Sequence, residues 1–158
     1  MLNTNNTYFE NIKRIGHEYE AARVERKARK EQIIATHGWD SEELKAWYAE
    51  DDAAKFPFSQ GAGKAYRAWA SSVSRKEDEV EMDDFLWEQD VADFVEALRS
   101  AGIDTFVYTN QSTAVMRNLH DLAAAGCTML GLCTITRRET RWGDEAPTEV
   151  QGIRFSLS

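Results

Sequence analysis

Across residues 6–36, Phe9, Ile12, Ile15, Tyr19 and Ala22 recur at three-to-four spacing, the period of one apolar helix face. Asn6 or Thr7 stands where an N-terminal cap belongs. Residues 23–31 are almost wholly charged, so the helix is expected to continue there as a solvated rod with local ion pairs. His37-Gly38 ends it, the glycine suiting a left-handed C-terminal cap. Asp40 and Glu43 have the spacing of a capping box for a second helix, whose short apolar face is Leu44, Trp47 and Tyr48. Phe56-Pro57-Phe58 interrupts the pattern. A third helix is predicted over 63–75, burying Tyr66, Trp69 and Val73.

In the second half, Leu86, Val91, Phe94, Val95 and Leu98 predict a fourth helix over 83–101, stopped by Gly102. Asp83 and Asp84 would face the positive end of its dipole. Residues 105–109 read as a short strand. Ser112 then caps a helix whose inward face is Val115, Met116, Leu119 and Leu122, ending at Gly126. Two further β-prone runs, 128–137 and 149–157, flank a loop holding Gly143 and Pro147 that is too long for a tight hairpin. Strand, helix, strand implies a parallel crossover, and the last strand most simply pairs antiparallel. The expected fold class is α+β: a helix-rich N-terminal half packed on a small mixed three-stranded sheet formed by a C-terminal β-α-β-β unit. One domain over 1–158 is expected, with a helical region 1–76 and an α-β-α-β-β core 77–158.

A chain of 158 residues can bury roughly 70% of its unfolded surface and so needs no metal or disulfide to fold. It carries 42% hydrophobic residues and five tryptophans, which argues for a real core over disorder. No long apolar run and no basic-then-apolar leader is present, so a soluble, cytoplasmic protein with no membrane partner is expected. Cys127 and Cys133 fall in one β-prone run, their Cα atoms roughly 20 Å apart at about 3.3 Å per residue, beyond disulfide reach. Even spacing would place them on one face with Met129 and Ile135 as small buried hydrophobes.

The net charge of −8 is concentrated. Residues 77–103 hold ten acids against Arg99 alone, while 1–76 carry 13 basic and 11 acidic side chains. An acidic helix edge can imitate a phosphate backbone and occupy a basic groove on a nucleic-acid-binding protein. DNA itself would be repelled. Asp83, Asp84, Asp90 and Asp93 are the candidate partner-binding acids, and a solvated face is their plainer reading. Asp90 and Asp93 could share a cation, but without HExxH, CxxC or a nearby lysine or histidine no metal site is assigned. The basic groups Arg23, Arg26, Lys27, Arg29 and Lys30 ring the first helix, leaving a nucleic-acid contact there as a further reading.

Gln60-Gly61-Ala62-Gly63-Lys64 lacks the first glycine, the Ser or Thr and the preceding strand of a phosphate loop, so its glycines read as a helix lead-in. The turn Thr109, Asn110, Gln111, Ser112 and Thr113 is a better anion candidate, because it joins a strand end to a helix N-terminus. Ordinary cap and turn chemistry explains the same residues. Arg137, Arg138, Arg141 and Trp142 have the composition of a binding surface, or of an internal dock onto the acids. His120 sits one position off its helix's apolar stripe and reads as a boundary residue.

Residues 90–102 (DVADFVEALRSAG), 110–127 (NQSTAVMRNLHDLAAAGC), 131–143 (GLCTITRRETRWG) and 152–157 (GIRFSL) together resemble a family of small uncharacterised proteins associated with mobile elements of gut Firmicutes. The resemblance covers about the C-terminal half. It implies a bacterial cytoplasmic setting and a mobile-element role, and it transfers no catalytic residue. With no catalytic signature and no cofactor motif, the leading expectation is a non-enzymatic accessory factor that binds a protein through the acidic helix. A small anionic ligand or nucleotide binder at 109–113, enzymatic or not, is the alternative. The long charged helix leaves room for a homodimer.

Overall fold

Asn6 starts the first helix from its side chain. Its Oδ1 accepts from the Phe9 N–H at 3.1 Å, while its Nδ2 donates to the Ala101 carbonyl at 2.9 Å. The computed structural model describes residues 2–138 and 146–158. Helix α1 (Thr7–His37) ends at Gly38, whose φ of 82° is the expected left-handed cap. Helix α2 (Glu42–Ala53) is capped by Ser41, whose Oγ accepts from Leu44 N at 3.2 Å, one residue later than the Asp40 box expected. Ser59 does the same for α3 (Gln60–Ser74), so this helix begins three residues before the expected start.

The chain forms two compact units, Glu10–Phe58 and Met1–Phe9 with Ser59–Ser158. In the first, α1 and α2 are tied together by Trp47 Nε1 donating to the Arg26 carbonyl at 2.7 Å, and by Arg26–Asp51 and Arg29–Glu50 ion pairs. Lys30 lies over the rings of Trp47 and Tyr48, and Arg23 pairs with Glu20. Four of the five cations considered for nucleic acid are thus engaged within their own unit.

The second unit departs from the expected helix over 83–101. Strand β1 (Val80–Met82) comes first, then a loop, a 3₁₀ turn (Glu88–Asp90) and α4 (Val91–Ser100). The strand was hidden because an acid stands between two apolar residues on an element buried at every position. Strand β2 (Thr105–Tyr108), helix α5 (Val115–Ala124), and strands β3 (Thr128–Arg138) and β4 (Pro147–Ser156) complete the unit. The sheet therefore has four strands, not three, in the order β1-β2-β4-β3, with β1 parallel to β2 and the other neighbours antiparallel. The class is α+β as expected, but the last strand inserts between β2 and β3.

Phe94 of α4 meets Phe106 edge-on at 5.6 Å, and Phe106 stacks on Phe155 at 5.5 Å, joining helix layer to sheet. A bulge between Met129 and Gly131 shifts the β3 register, so the even spacing of Cys127 and Cys133 no longer places them on one face. Cys127 lies just before the strand, buried, and burial pushes its thiol up. Strand β2 is short, so the β3–β4 hairpin runs on past it. Gly152 settles where a Cβ would come within 2.6 Å of Val107 Cγ1 and 2.8 Å of the Tyr108 carbonyl.

Helices α3 and α4 touch through Gly61, where a Cβ would strike the Asp90 carbonyl oxygen and sit 2.8 Å from Phe94 N. Gly61→Ala is therefore expected to cost about 2 kcal/mol by forcing the helices apart. Gly63→Ala, in the same helix with only Arg67 Nη1 at 3.5 Å, should instead gain about 0.5–1 kcal/mol. Urea titration of both variants checks the contrast. Equal costs would mean that the α3–α4 contact is not limiting.

Candidate functional site

Strands β1 and β2 run parallel, and beyond their C-terminal ends the loop at 83–87 faces the turn at 109–114. This is where parallel strands leave a crevice. The loop is held from several sides. Asp84 Oδ1 accepts from Phe85 N at 2.8 Å, and Lys64 Nζ donates to the Phe85 carbonyl while lying over its ring. Asn118, buried on α5, accepts from Leu86 N at 3.0 Å, donates to the Leu86 carbonyl at 2.6 Å and accepts from the Tyr108 hydroxyl at 2.7 Å. Burial, and then Asp84, pushes that hydroxyl up to about 12, so it remains a donor.

Between loop and turn opens a groove of 540 Å³ lined by Phe85, Trp87, Glu88, Thr113, Arg117 and Asn118, among others. Trp87 is 58% exposed and packs edge-on against Phe85. Met116 is 81% exposed nearby on α5. It had been expected on the inward face, but the buried stripe passes through Asn118 and Leu122, with Val115 and Leu119 half-buried. A polar side chain among apolar positions was the signal for Asn118, and apolar periodicity alone passes over it.

The turn residues use most of their polar groups on the fold. Thr109 Oγ1 donates to Glu81 Oε1 at 2.6 Å, well inside the unit. Asn110 donates to the Asp83 carbonyl at 3.0 Å and accepts from Ser112 N at 3.1 Å. Ser112 Oγ accepts from Ala114 N at 3.3 Å within the turn, three residues before α5 starts, so the N-cap position falls to Ala114 and not to Ser112 as expected. Gln111 and Thr113 are exposed. The groove's cation, Arg117, is paired with Glu88 and reaches Asp121 at 3.9 Å. His120 is exposed beside Asp121.

The acidic helix expected over 83–101 is cut back to Val91–Ser100. Asp83 and Asp84 lie in the loop, paired with Arg75 at 3.4 Å and Lys64 at 3.3 Å. Asp90 is buried at the N-terminal cap of α4, and Asp93 is exposed in the first turn of that helix. Three more acids meet arginines around β1: Glu77 with Arg75, Glu79 with Arg154 and Glu81 with both Arg75 and Arg137. Arg137 is thus turned inward as an internal dock, while Arg138 is exposed on β3. Arg141 and Trp142 lie outside the described residues. Among the described residues no cluster of three or more His, Cys, Asp or Glu side chains could hold a metal ion. No helix there is long and apolar enough to cross a membrane.

No curated protein and no solved structure matches this chain. A family model described as a domain of unknown function, DUF7698, matches residues 64–157, from the first turns of α3 to the end of the chain's last strand. The match spans more than half of the chain, which therefore belongs to the DUF7698 family.

Proposed function

We propose that this chain is a non-enzymatic accessory protein that binds another protein, taking a basic segment with an apolar anchor into the groove at 85–89 and 112–118. The observation that carries the reading is the pair Trp87 and Met116, large apolar side chains standing in solvent beside a groove whose wall is pinned by buried Asn118. Aromatic residues and methionine are the types enriched at protein interfaces. Charge favours a basic partner through the net field of the unit bearing the groove, which has 16 acidic against 10 basic side chains. The same excess disfavours direct contact with DNA. A basic nucleic-acid-binding protein of a mobile element suits both this charge and the resemblance in the C-terminal half. The acidic feature that serves the contact is the loop at 83–88, in place of a helix.

A small anion at 109–113 is the weaker reading, because Asn110 and Ser112 are spent on the turn and Arg117 is already matched by Glu88. Calorimetric titration of the full chain with synthetic Lys/Arg-rich peptides built around one aromatic residue tests the choice. Wild type should bind, less tightly as salt is raised. Trp87→Ala should weaken binding about 30-fold, roughly 2 kcal/mol, with an unchanged circular dichroism spectrum. Binding untouched by Trp87→Ala and Met116→Ser would remove the groove from the interaction. A preference for inorganic phosphate would favour the anion reading.

A further inference from the structure

Away from the groove, two buried carboxyl groups lie beneath the β3–β4 hairpin. Glu81 is 0% exposed and Glu77 only 4%. Glu81 accepts from Thr109 Oγ1 at 2.6 Å, from Arg75 Nη2 at 3.1 Å and from Arg137 through both Nε and Nη2. Glu77 has Arg75 Nε at 2.7 Å, yet neither of its oxygens receives a well-aligned hydrogen bond. An ionised carboxylate so placed is costly, whereas a protonated one becomes a donor and reaches Glu81. Burial above all, then the charge of Glu81, pushes the Glu77 carboxyl up to about 7. Burial acts on Glu81 in the same sense, but hydrogen bonds from Arg137, Thr109 and Glu77 hold it below its ordinary value. The pair thus carries one proton between two carboxyls.

The distal half of the hairpin covers this pair. Thr134, Ile135, Thr136 and Arg138 stand across a 260 Å³ cavity from residues 76–79. Side chains at 132–138 and 147–151 are exposed or half-buried, so apolar packing gives this half little hold. Among the described residues, polar contacts tether it: Arg137 on Glu81, with Arg154 on Glu79 nearer the sheet. We propose that Glu77 and Glu81 form a proton-gated latch, in which the shared proton keeps the distal β3–β4 hairpin closed and its loss opens the hairpin so that water reaches the pair.

Burial sets this direction, and the charged groups around Glu77 come from several elements. Arg75 and Lys76 come from the end of α3, Asp78, Glu79 and Glu81 from its own segment, and Asp83 from beyond β1. Arg137 and Arg138 come from β3, and Arg154 from β4. Arg75 is divided among Glu77, Glu81 and Asp83, Arg137 serves Glu81, and Arg154 serves Glu79. An opened, hydrated Glu77 titrates near its ordinary 4.5, while the closed form holds its proton up to about 7. Closure is therefore fully supported below the lower value and loses that support as pH rises through the upper one. Across that window the open fraction grows by at most about two to three orders of magnitude.

Hydrogen exchange of the full chain from pH 5 to 8.5, with times scaled for intrinsic exchange, tests the latch. Protection at 132–138 and 147–153 should fall steadily from pH 5 to about 7 and level off above it, while α4 stays protected. Glu77→Gln, which keeps a donor and cannot ionise, should hold the hairpin closed throughout. A hairpin whose protection ignores pH in wild type would overturn the latch, as would the same transition surviving in Glu77→Gln. If that variant does not fold, carbon NMR of the wild-type Glu77 carboxyl decides: titration at the ordinary carboxylate value would overturn it, and titration near 7 together with the hairpin's loss of protection would sustain it.

Discussion

Glu81→Ala is expected to lower the stability of the chain by about 3–5 kcal/mol at pH 7, the cost of removing one partner from a buried ion-pair network. The carboxylate is fully buried and collects Thr109, Arg75 and Arg137 at once. Arg75 keeps Glu77 and Asp83 after the change, so its loss is partial. The Thr109 hydroxyl, though, is left without its 2.6 Å acceptor, and Arg137 loses its bidentate carboxylate. Denaturant unfolding checks the figure, and a double-mutant cycle with Arg137→Ala should return a coupling above 1 kcal/mol. Exposed pairs such as Arg14–Glu18, both partners more than half exposed, should give less than about 0.5 kcal/mol in the same cycle. If Glu81→Ala also proves that cheap, the network around β1 does not hold the hairpin down.

What the sequence showed clearly was punctuation. Gly38 and Gly102 fall at helix ends with positive φ, and the stripe Val91, Phe94, Val95, Leu98 is buried as its period demands. Leu86 shares that period, which is why a helix was expected to reach back to 83. It is buried instead in a loop whose backbone is held by Asn118, a hydrogen-bond partner 32 residues away that no local pattern announces. Strand β1 was unreadable for a related reason: rules that put acids on surfaces cannot foresee Glu81 at the centre of a core, because its arginines arrive from α3 and β3.

The candidate site shows the same division between local and tertiary information. The polar letters at 109–113 advertised a ligand and turn out to be largely occupied with one another and with β1. The acids at 77–88 advertised a charged ridge, yet Glu77, Glu79, Glu81, Asp83, Asp84 and Glu88 each have a cation within the fold. Trp87, one aromatic inside an acidic run, carried no periodic signal. Its exposure follows from the 3₁₀ turn that begins just after it, which is a tertiary outcome.

Asn118→Ala should cost about 3 kcal/mol, because three buried groups lose their partners together: the N–H and C=O of Leu86 and the hydroxyl of Tyr108. The change adds only a small cavity, so unsatisfied polar groups and not lost apolar area should account for most of it. Asn118→Asp separates these contributions. Its carboxylate can still accept from Leu86 N and Tyr108, but faces the Leu86 carbonyl without a proton to give. At pH 7 it should be as destabilising as alanine. Below the pKa of the introduced carboxyl its own proton can donate to that carbonyl, so its deficit against wild type should shrink on acidification. Urea titrations of the three proteins at pH 4.5 and 7 measure this directly. A pH-independent deficit for Asn118→Asp would mean that the Leu86 carbonyl is solvated in the variant and the loop has already left α5. In that case peptide binding at Trp87 should disappear with it, since Asn118 is what keeps the loop, and so the groove, in register with the helix.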